Sequence, residues 1–274
     1  MQDLSERYPV WLCDVWGVIH DGVTSFGKAL DALTRHRRNR GLVVLLTNAP
    51  RPREDVIRQL AGLGVGSPAY DLVITSGDVT RSLVNRHTGG KLYHLGPERD
   101  LGLLRGLPVD LASLDDAEAV LCTGLFDDTN ETPEDYVQHL AAMRERDLEM
   151  ICANPDRQVR RGDRLVFCAG AIAERYAAMG GRVAMAGKPF PPMYELALSE
   201  AARLLGNPPA KAQILAIGDG PETDIAGAAA FGIDIVLIAH GVSRGHAPQD
   251  LAQAVNAQFP DARIIRTLPE LIWS

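Results

Sequence analysis

Short apolar runs, each the length of one buried strand, recur along this chain with helical stretches between them, and that alternation restricts the fold more than any other feature. Residues 10–13, 42–46, 72–75, 91–95, 119–123, 150–153, 215–217 and 235–238 read as strands. Residues 27–40, 53–63, 133–146, 169–179 and 224–231 read as helices. Strands buried on both faces carry continuous runs of Val, Leu and Ile rather than a polar alternation, and they pair in parallel through crossover helices. The sequence therefore predicts an α/β chain with a doubly wound parallel sheet. Near Thr88-Gly89-Gly90 the texture changes, and the middle of the chain reads as a small α/β layer of its own. The simplest arrangement is a core built from residues 1–79 and 183–274, with residues 80–182 inserted as a second α/β domain.

The chain has 274 residues, 46% of them hydrophobic and 23% charged, enough for a sizeable core. Its net charge of −7 argues against nucleic acid or an anionic membrane as the main partner. The run Arg35-His36-Arg37-Arg38 reads as the solvated, dipole-compensating end of a helix rather than a nucleic-acid patch. No apolar run approaches the roughly 20 residues that a membrane span needs. Residues 1–7 are polar and carry no signal-peptide core. Cys13, Cys122, Cys152 and Cys168 share no metal-ligand spacing and lie mostly in strand-like runs, which fits buried thiols in a reducing cytoplasm.

Four polar islands follow, or lie beside, strands that belong to the core. They are Asp14 with Gly17, Thr47-Asn48, Gly187-Lys188-Pro189, and Gly218-Asp219 through Thr223-Asp224. Each alone also suits a plain structural role, as a turn, a loop or a helix cap. In a parallel sheet, however, all four gather at the carboxyl edge, where ligands bind. There the chemistry converges on phosphoryl transfer. An ionised Asp can attack phosphorus, and a hydroxyl, an amide and a lysine can neutralise phosphoryl oxygens. Asp219 and Asp224 offer hard oxygen donors of the kind that Mg²⁺ selects. A dinucleotide cradle is the competing reading of Gly218–Asp224. It lacks the G-x-G-x-x-G spacing, and its carboxylates would repel a pyrophosphate.

The ordered set resembles the haloacid dehalogenase (HAD) superfamily, and in particular its NagD-like subfamily IIA phosphatases with an α/β cap. Asp14-Val15-Trp16-Gly17-Val18 resembles the family's first motif, Asp-x-Asp-Gly-x. Leu46-Thr47-Asn48 is similar to the second, Gly187-Lys188-Pro189 to the third, and Gly218-Asp219 through Asp224 to the fourth, the most specific match. The resemblance implies a Rossmann-like HAD core with a cap, and a Mg²⁺-dependent phosphatase acting on a small phosphorylated metabolite. It implies Asp14 as nucleophile and metal ligand. The Trp16 backbone carbonyl, Asp219 and Asp224 would complete the metal site. Thr47, Asn48 and Lys188 would hold the phosphoryl group, and Asp156, in Ala153-Asn154-Pro155-Asp156, would face the substrate. Oligomeric state leaves no mark in the sequence, and a homodimer is compatible with it.

Position 16 departs from the family pattern. There the family places the Asp that protonates the leaving group and later activates water, and an indole N–H cannot exchange protons near neutral pH. Acid–base assistance is worth roughly 10²–10⁴-fold. Three readings stay open: a phosphatase that is slow or uses a leaving group needing little protonation; one in which His20 or Asp21 supplies the proton; and a catalytically impaired protein that binds a phosphorylated ligand.

Overall fold

The computed structural model describes residues 1–161, 164–239 and 248–274. Its strands, in chain order, are β1 (Val10–Asp14), β2 (Leu42–Thr47), β3 (Leu72–Thr75), β4 (Lys91–Leu95), β5 (Asp110–Leu111), β6 (Ala119–Cys122), β7 (Glu149–Cys152), β8 (Gln158–Arg161), β9 (Arg164–Phe167), β10 (Arg182–Met185), β11 (Ile214–Gly218), β12 (Asp234–Ile238) and β13 (Arg263–Leu268). They fall in two compact units. One comprises Met1–Thr47, Glu54–Ile74 and Lys188–Ser274; the other comprises Asn48–Arg53 and Thr75–Gly187.

The first unit is built on a six-stranded sheet of order β13-β12-β11-β1-β2-β3. The β1–β2, β1–β11, β11–β12 and β12–β13 pairs are parallel, with Cys13 in register with Leu45 on one side and Ile217 on the other. Every residue of β1, β2 and β11 is buried, as their unbroken apolar runs require. The helix Gly27–Arg38 buries Ala29, Ala32, Leu33 and His36, a stripe at helical spacing. That helix stops two residues short of its predicted end, because Arg40 turns into the left-handed region at φ 65°. His36 stacks flat on Trp11 of β1, with centroids 3.8 Å apart and planes 4° from parallel. Burying aromatic area on this scale contributes roughly 1.5–3 kcal/mol per side chain.

The strand order fixes where chemistry can occur in this unit. From β1 the chain runs outward to β2 and β3, then returns to the other side of β1 for β11, β12 and β13. The direction reverses between β1 and β11, and the crevice beyond their carboxyl ends is the ligand position of such sheets. Asp14 ends β1, and Asp219 directly follows β11.

The second unit carries a five-stranded sheet, β10-β7-β6-β4-β5, whose neighbouring pairs are all parallel, and an antiparallel hairpin of β8 and β9. Leu140, Met143, Ile172 and Tyr176 pack with Val120, Met150 and Cys152 in its core. The helix Ser76–Val84 opens with a capping box, in which Thr75 accepts from the Asp78 N–H and Asp78 accepts from the Thr75 N–H. Gly77 lies against the backbone of Arg51, where a Cβ would sit 2.2 Å from the carbonyl oxygen.

The predicted α/β architecture is observed, with local differences. The predicted helix over 224–231 begins as a π-helical turn at Pro221–Ile225, and that over 133–146 as a 3₁₀ turn at Pro133–Tyr136. Strands β5, β8, β9, β10 and β13 are additions to the predicted set. Among the described residues no helix is long and apolar enough to cross a membrane.

Candidate active site

The strand ends of the first unit bring Asp14, Lys188, Asp219 and Asp224 together. Lys188 is only 3% exposed. Its Nζ donates to Asp14 Oδ1 at 2.5 Å and to Asp224 Oδ1 at 2.7 Å. Asp14, Asp219 and Asp224 are all buried, and each offers an oxygen within 4.8 Å of the others. Asp224 is fixed from two further directions. The Gly220 N–H donates to its Oδ2 at 3.1 Å, and Gly218 makes room for its carboxyl, since a Cβ there would meet Asp224 Cγ at 2.2 Å. These glycines form part of the site's support, and the sequence signals them only as members of the Gly218–Asp224 turn.

The electrostatics follow from burial. Desolvation, then the Asp224 charge, push the Asp14 carboxyl well above the usual carboxylate range, while Lys188 works against that shift. For Lys188, burial alone would favour the neutral amine. The Asp14 and Asp224 carboxylates outweigh it and hold the ammonium well above its usual range. Asp14 and Asp224 thus share one ammonium, and Asp219 adds a third buried carboxyl beside them, so the cluster holds more acidic groups than cations. A hard divalent cation with oxygen preference fits that donor set, and Asp14, Asp219 and Asp224 are the side chains that would hold it. A carboxylate charge-compensated in this way is also competent to attack phosphorus.

Trp16 and His20 pair with each other. Their rings meet edge to face, with centroids 5.4 Å apart and planes at 80°. His20 is 3% exposed, and burial lowers its pKa. Its Nδ1 accepts the Gly22 N–H at 2.9 Å, so the neutral ring carries its proton on Nε2 and has no free lone pair to act as a base. Asp21 is committed to the same loop, its Oδ1 accepting from the N–H groups of Val23 and Thr24 at 3.0 and 2.8 Å. Both side chains are thus engaged within their own loop.

Thr47 closes β2 in the first unit and is buried. Asn48 opens the second unit, where its Nδ2 donates to Asp156 Oδ1 at 2.9 Å. Asp156 in turn donates its N–H to Asn154 Oδ1 at 3.0 Å. Residues 48–53 are tied down by Arg53, whose Nε donates to Asp78 Oδ2 at 3.0 Å, and by Thr75, whose hydroxyl donates to the Arg51 carbonyl at 2.7 Å. Sequence reasoning did not single out Arg53 and Asp78, and their separation along the chain gave no signal of the contact.

Comparison with known proteins decides the family. A haloacid dehalogenase-like hydrolase family model matches residues 11–109, and a HAD-hydrolase-like model matches residues 185–271. A crystal structure of a hydrolase of the haloacid dehalogenase-like family from Brucella suis is 49% identical, covering 88% of this chain and 92% of that one, with a TM-score of 0.83. The chain belongs to the haloacid dehalogenase-like hydrolases. Other solved structures share the fold at lower identity. A possible sugar phosphatase from Cytophaga hutchinsonii is 20% identical, over 100% of this chain and 97% of that one, with a TM-score of 0.81. The glycerol phosphate phosphatase of Mycobacterium tuberculosis, solved in complex with magnesium, is 23% identical over 98% of this chain and 76% of that one, with a TM-score of 0.72. None of the curated proteins compared with this haloacid dehalogenase-like hydrolase matches it.

Proposed function

We propose that this hydrolase is a NagD-like, magnesium-dependent phosphatase that acts on a small phosphorylated metabolite through an aspartyl-phosphate on Asp14. The observation that carries the reading is the Lys188 ammonium bridging Asp14 and Asp224, with Asp219 alongside, at the carboxyl edge where the sheet reverses direction. An Asp14 oxygen attacks phosphorus and forms a new P–O bond. The bond to the leaving oxygen breaks, and its electron pair departs with that oxygen, which takes a proton from solvent. Water then attacks phosphorus, loses a proton to solvent, and releases inorganic phosphate and the Asp14 carboxylate. Lys188 orients Asp14 and meets the charge that collects on the phosphoryl oxygens, and Thr47 and Asn48 donate to the same oxygens. Asp14, Asp219, Asp224 and the Trp16 backbone carbonyl would hold Mg²⁺, which would offset the repulsion between nucleophile and anionic substrate.

In this reading residues 80–182 act as the cap of a core formed by 1–79 and 183–274, and Asp156 contributes to substrate choice. The four free, buried cysteines support a cytoplasmic setting. Trp16 favours a slow enzyme, because its indole cannot give or take a proton near neutral pH. The same residue supports a second reading, a catalytically impaired protein that binds a phosphorylated ligand. Steady-state assay with Mg²⁺, comparing an activated aryl phosphate with an alkyl phosphate, separates the two. The phosphatase reading expects turnover that is lost in Asp14→Asn and is faster on the aryl ester. No turnover of either ester, with a phosphorylated ligand raising Tm, supports the binding reading instead.

A further inference from the structure

We propose that the indole of Trp16 is a preformed stacking platform that selects phosphate esters whose esterified oxygen sits directly on an aromatic or heteroaromatic ring. The inference rests on the phosphatase reading and adds a substrate class to it. Trp16 is 48% exposed, in a protein that buries Trp11 completely. It follows Asp14 by two residues, so its Cα lies within about 7 Å of the Asp14 Cα, whatever the turn between them.

A stray surface tryptophan would be free to rotate, whereas this one is seated. One side of the indole meets the buried His20 ring. Its six-membered ring lies against Gly22, where a Cβ would come within 2.3 Å of Trp16 Cη2 and 2.7 Å of Cζ3. Gly22 has φ +91°, and its N–H is held by His20 Nδ1. The Gly17 N–H donates to the His20 carbonyl at 2.8 Å, and the Ile19 N–H to that of Val15 at 3.0 Å. The Phe26 N–H donates back to the Ile19 carbonyl at 2.8 Å. The sequence thus places glycine where any side chain would unseat the indole, and the loop backbone is fixed by its own hydrogen bonds. A rigid aromatic face loses little freedom when a ligand covers it, which is the condition for productive stacking.

The chemistry at the same position points the same way. A leaving group on an aromatic ring departs as an aryloxide, whose conjugate acid has a pKa near 10, against about 15.7 for water and similarly high values for alkyl alcohols. It therefore needs no proton from the enzyme. The substitution that removes the proton donor also supplies a surface for a class of leaving group that can leave without it. A nucleoside 5′-phosphate carries a ring but leaves as an alkoxide, so it satisfies only half of this requirement.

Binding of phenylphosphonate and cyclohexylphosphonate, measured by titration calorimetry in the presence of Mg²⁺, isolates the platform, because neither compound has a leaving group. The native chain is expected to favour the phenyl compound by roughly 5- to 150-fold, the range of one stacked ring. Trp16→Phe should keep most of that ratio. Trp16→Leu, and Gly22→Ala, which displaces the indole without removing it, should bring it close to one. A ratio near one in the native chain, or one that survives in Trp16→Leu, would overturn the proposal. Acetyl phosphate, which has no ring and needs no protonation to leave, reports on the phosphatase reading separately. Its hydrolysis by the native chain together with a ratio near one sinks the platform alone. No hydrolysis sinks the phosphatase reading, while the binding ratio still decides the platform.

Discussion

Lys188 Nζ lies 2.5 Å from Asp14 Oδ1, and the two residues are 174 positions apart in sequence. Both are buried, so the pair is held in a medium that screens it poorly. Removing the lysine strands the carboxylates, whereas removing Asp14 does not strand the lysine, which keeps Asp224. Lys188→Ala is expected to destabilise the protein by about 3–5 kcal/mol, because Asp14 and Asp224 both lose their counter-charge. Asp14→Asn leaves Lys188 its bond to Asp224 and removes one of three crowded carboxylates, so it should abolish turnover without lowering Tm. Denaturant unfolding of the two variants checks the contrast.

Magnesium should stabilise the folded chain through the same carboxylates. At a hundredfold excess over its Kd, Mg²⁺ is expected to add about 2.7 kcal/mol. Asp219→Asn should lose most of that gain, since the donor set falls from three carboxylates to two. Thermal melts across a Mg²⁺ series read the effect without any assay of activity.

Restoring a carboxyl at position 16 should restore proton transfer. Trp16→Asp is expected to raise turnover of alkyl phosphates by roughly 10²–10⁴-fold and that of aryl phosphates far less. A Trp16→Asp protein no faster than the native one on alkyl esters would show that more than the indole limits the reaction.

Stability should fall in acid for a reason other than the site carboxylates. His36 is fully buried against Trp11, and burial lowers its pKa from 6.5 to about 4. A histidine kept neutral by the fold binds its proton more readily in the unfolded chain. Its contribution is therefore fully present above pH 6.5 and is lost as pH falls toward 4, to a total of roughly 3 kcal/mol. His36→Phe should flatten the dependence of unfolding free energy on pH across that window, whatever its absolute stability.

The sheet cores were legible from sequence because β1, β2, β6 and β11 are buried throughout and must be apolar along their whole length. The strands outside the predicted set lack that signal. β13 sits at the edge of its sheet and alternates exposed Arg263 and Ile265 with half-buried Ile264 and Arg266, while β5 is two exposed residues long. Asp14, Lys188, Asp219 and Asp224 could be grouped because each follows, or lies near, a core strand and strand order carries the grouping. The bond from Asn48 to Asp156 spans 108 residues between loops, and no periodicity reports it. The state of His20 was equally hidden, since a backbone N–H two residues away fixes its tautomer.

The most direct test of the central claim is to look for the phosphoryl group on Asp14. With neither a proton donor nor a base at position 16, breakdown of the aspartyl-phosphate should be slower than its formation from an aryl phosphate, so the intermediate should accumulate. Acid quenching of the native enzyme during turnover with Mg²⁺, followed by mass spectrometry of its peptides, is expected to find a phosphoryl increment on the peptide carrying Asp14. The increment should be absent in Asp14→Asn and depleted in Trp16→Asp. Sustained phosphate release with no phosphoryl group on that peptide, or turnover that survives Asp14→Asn, would contradict the account.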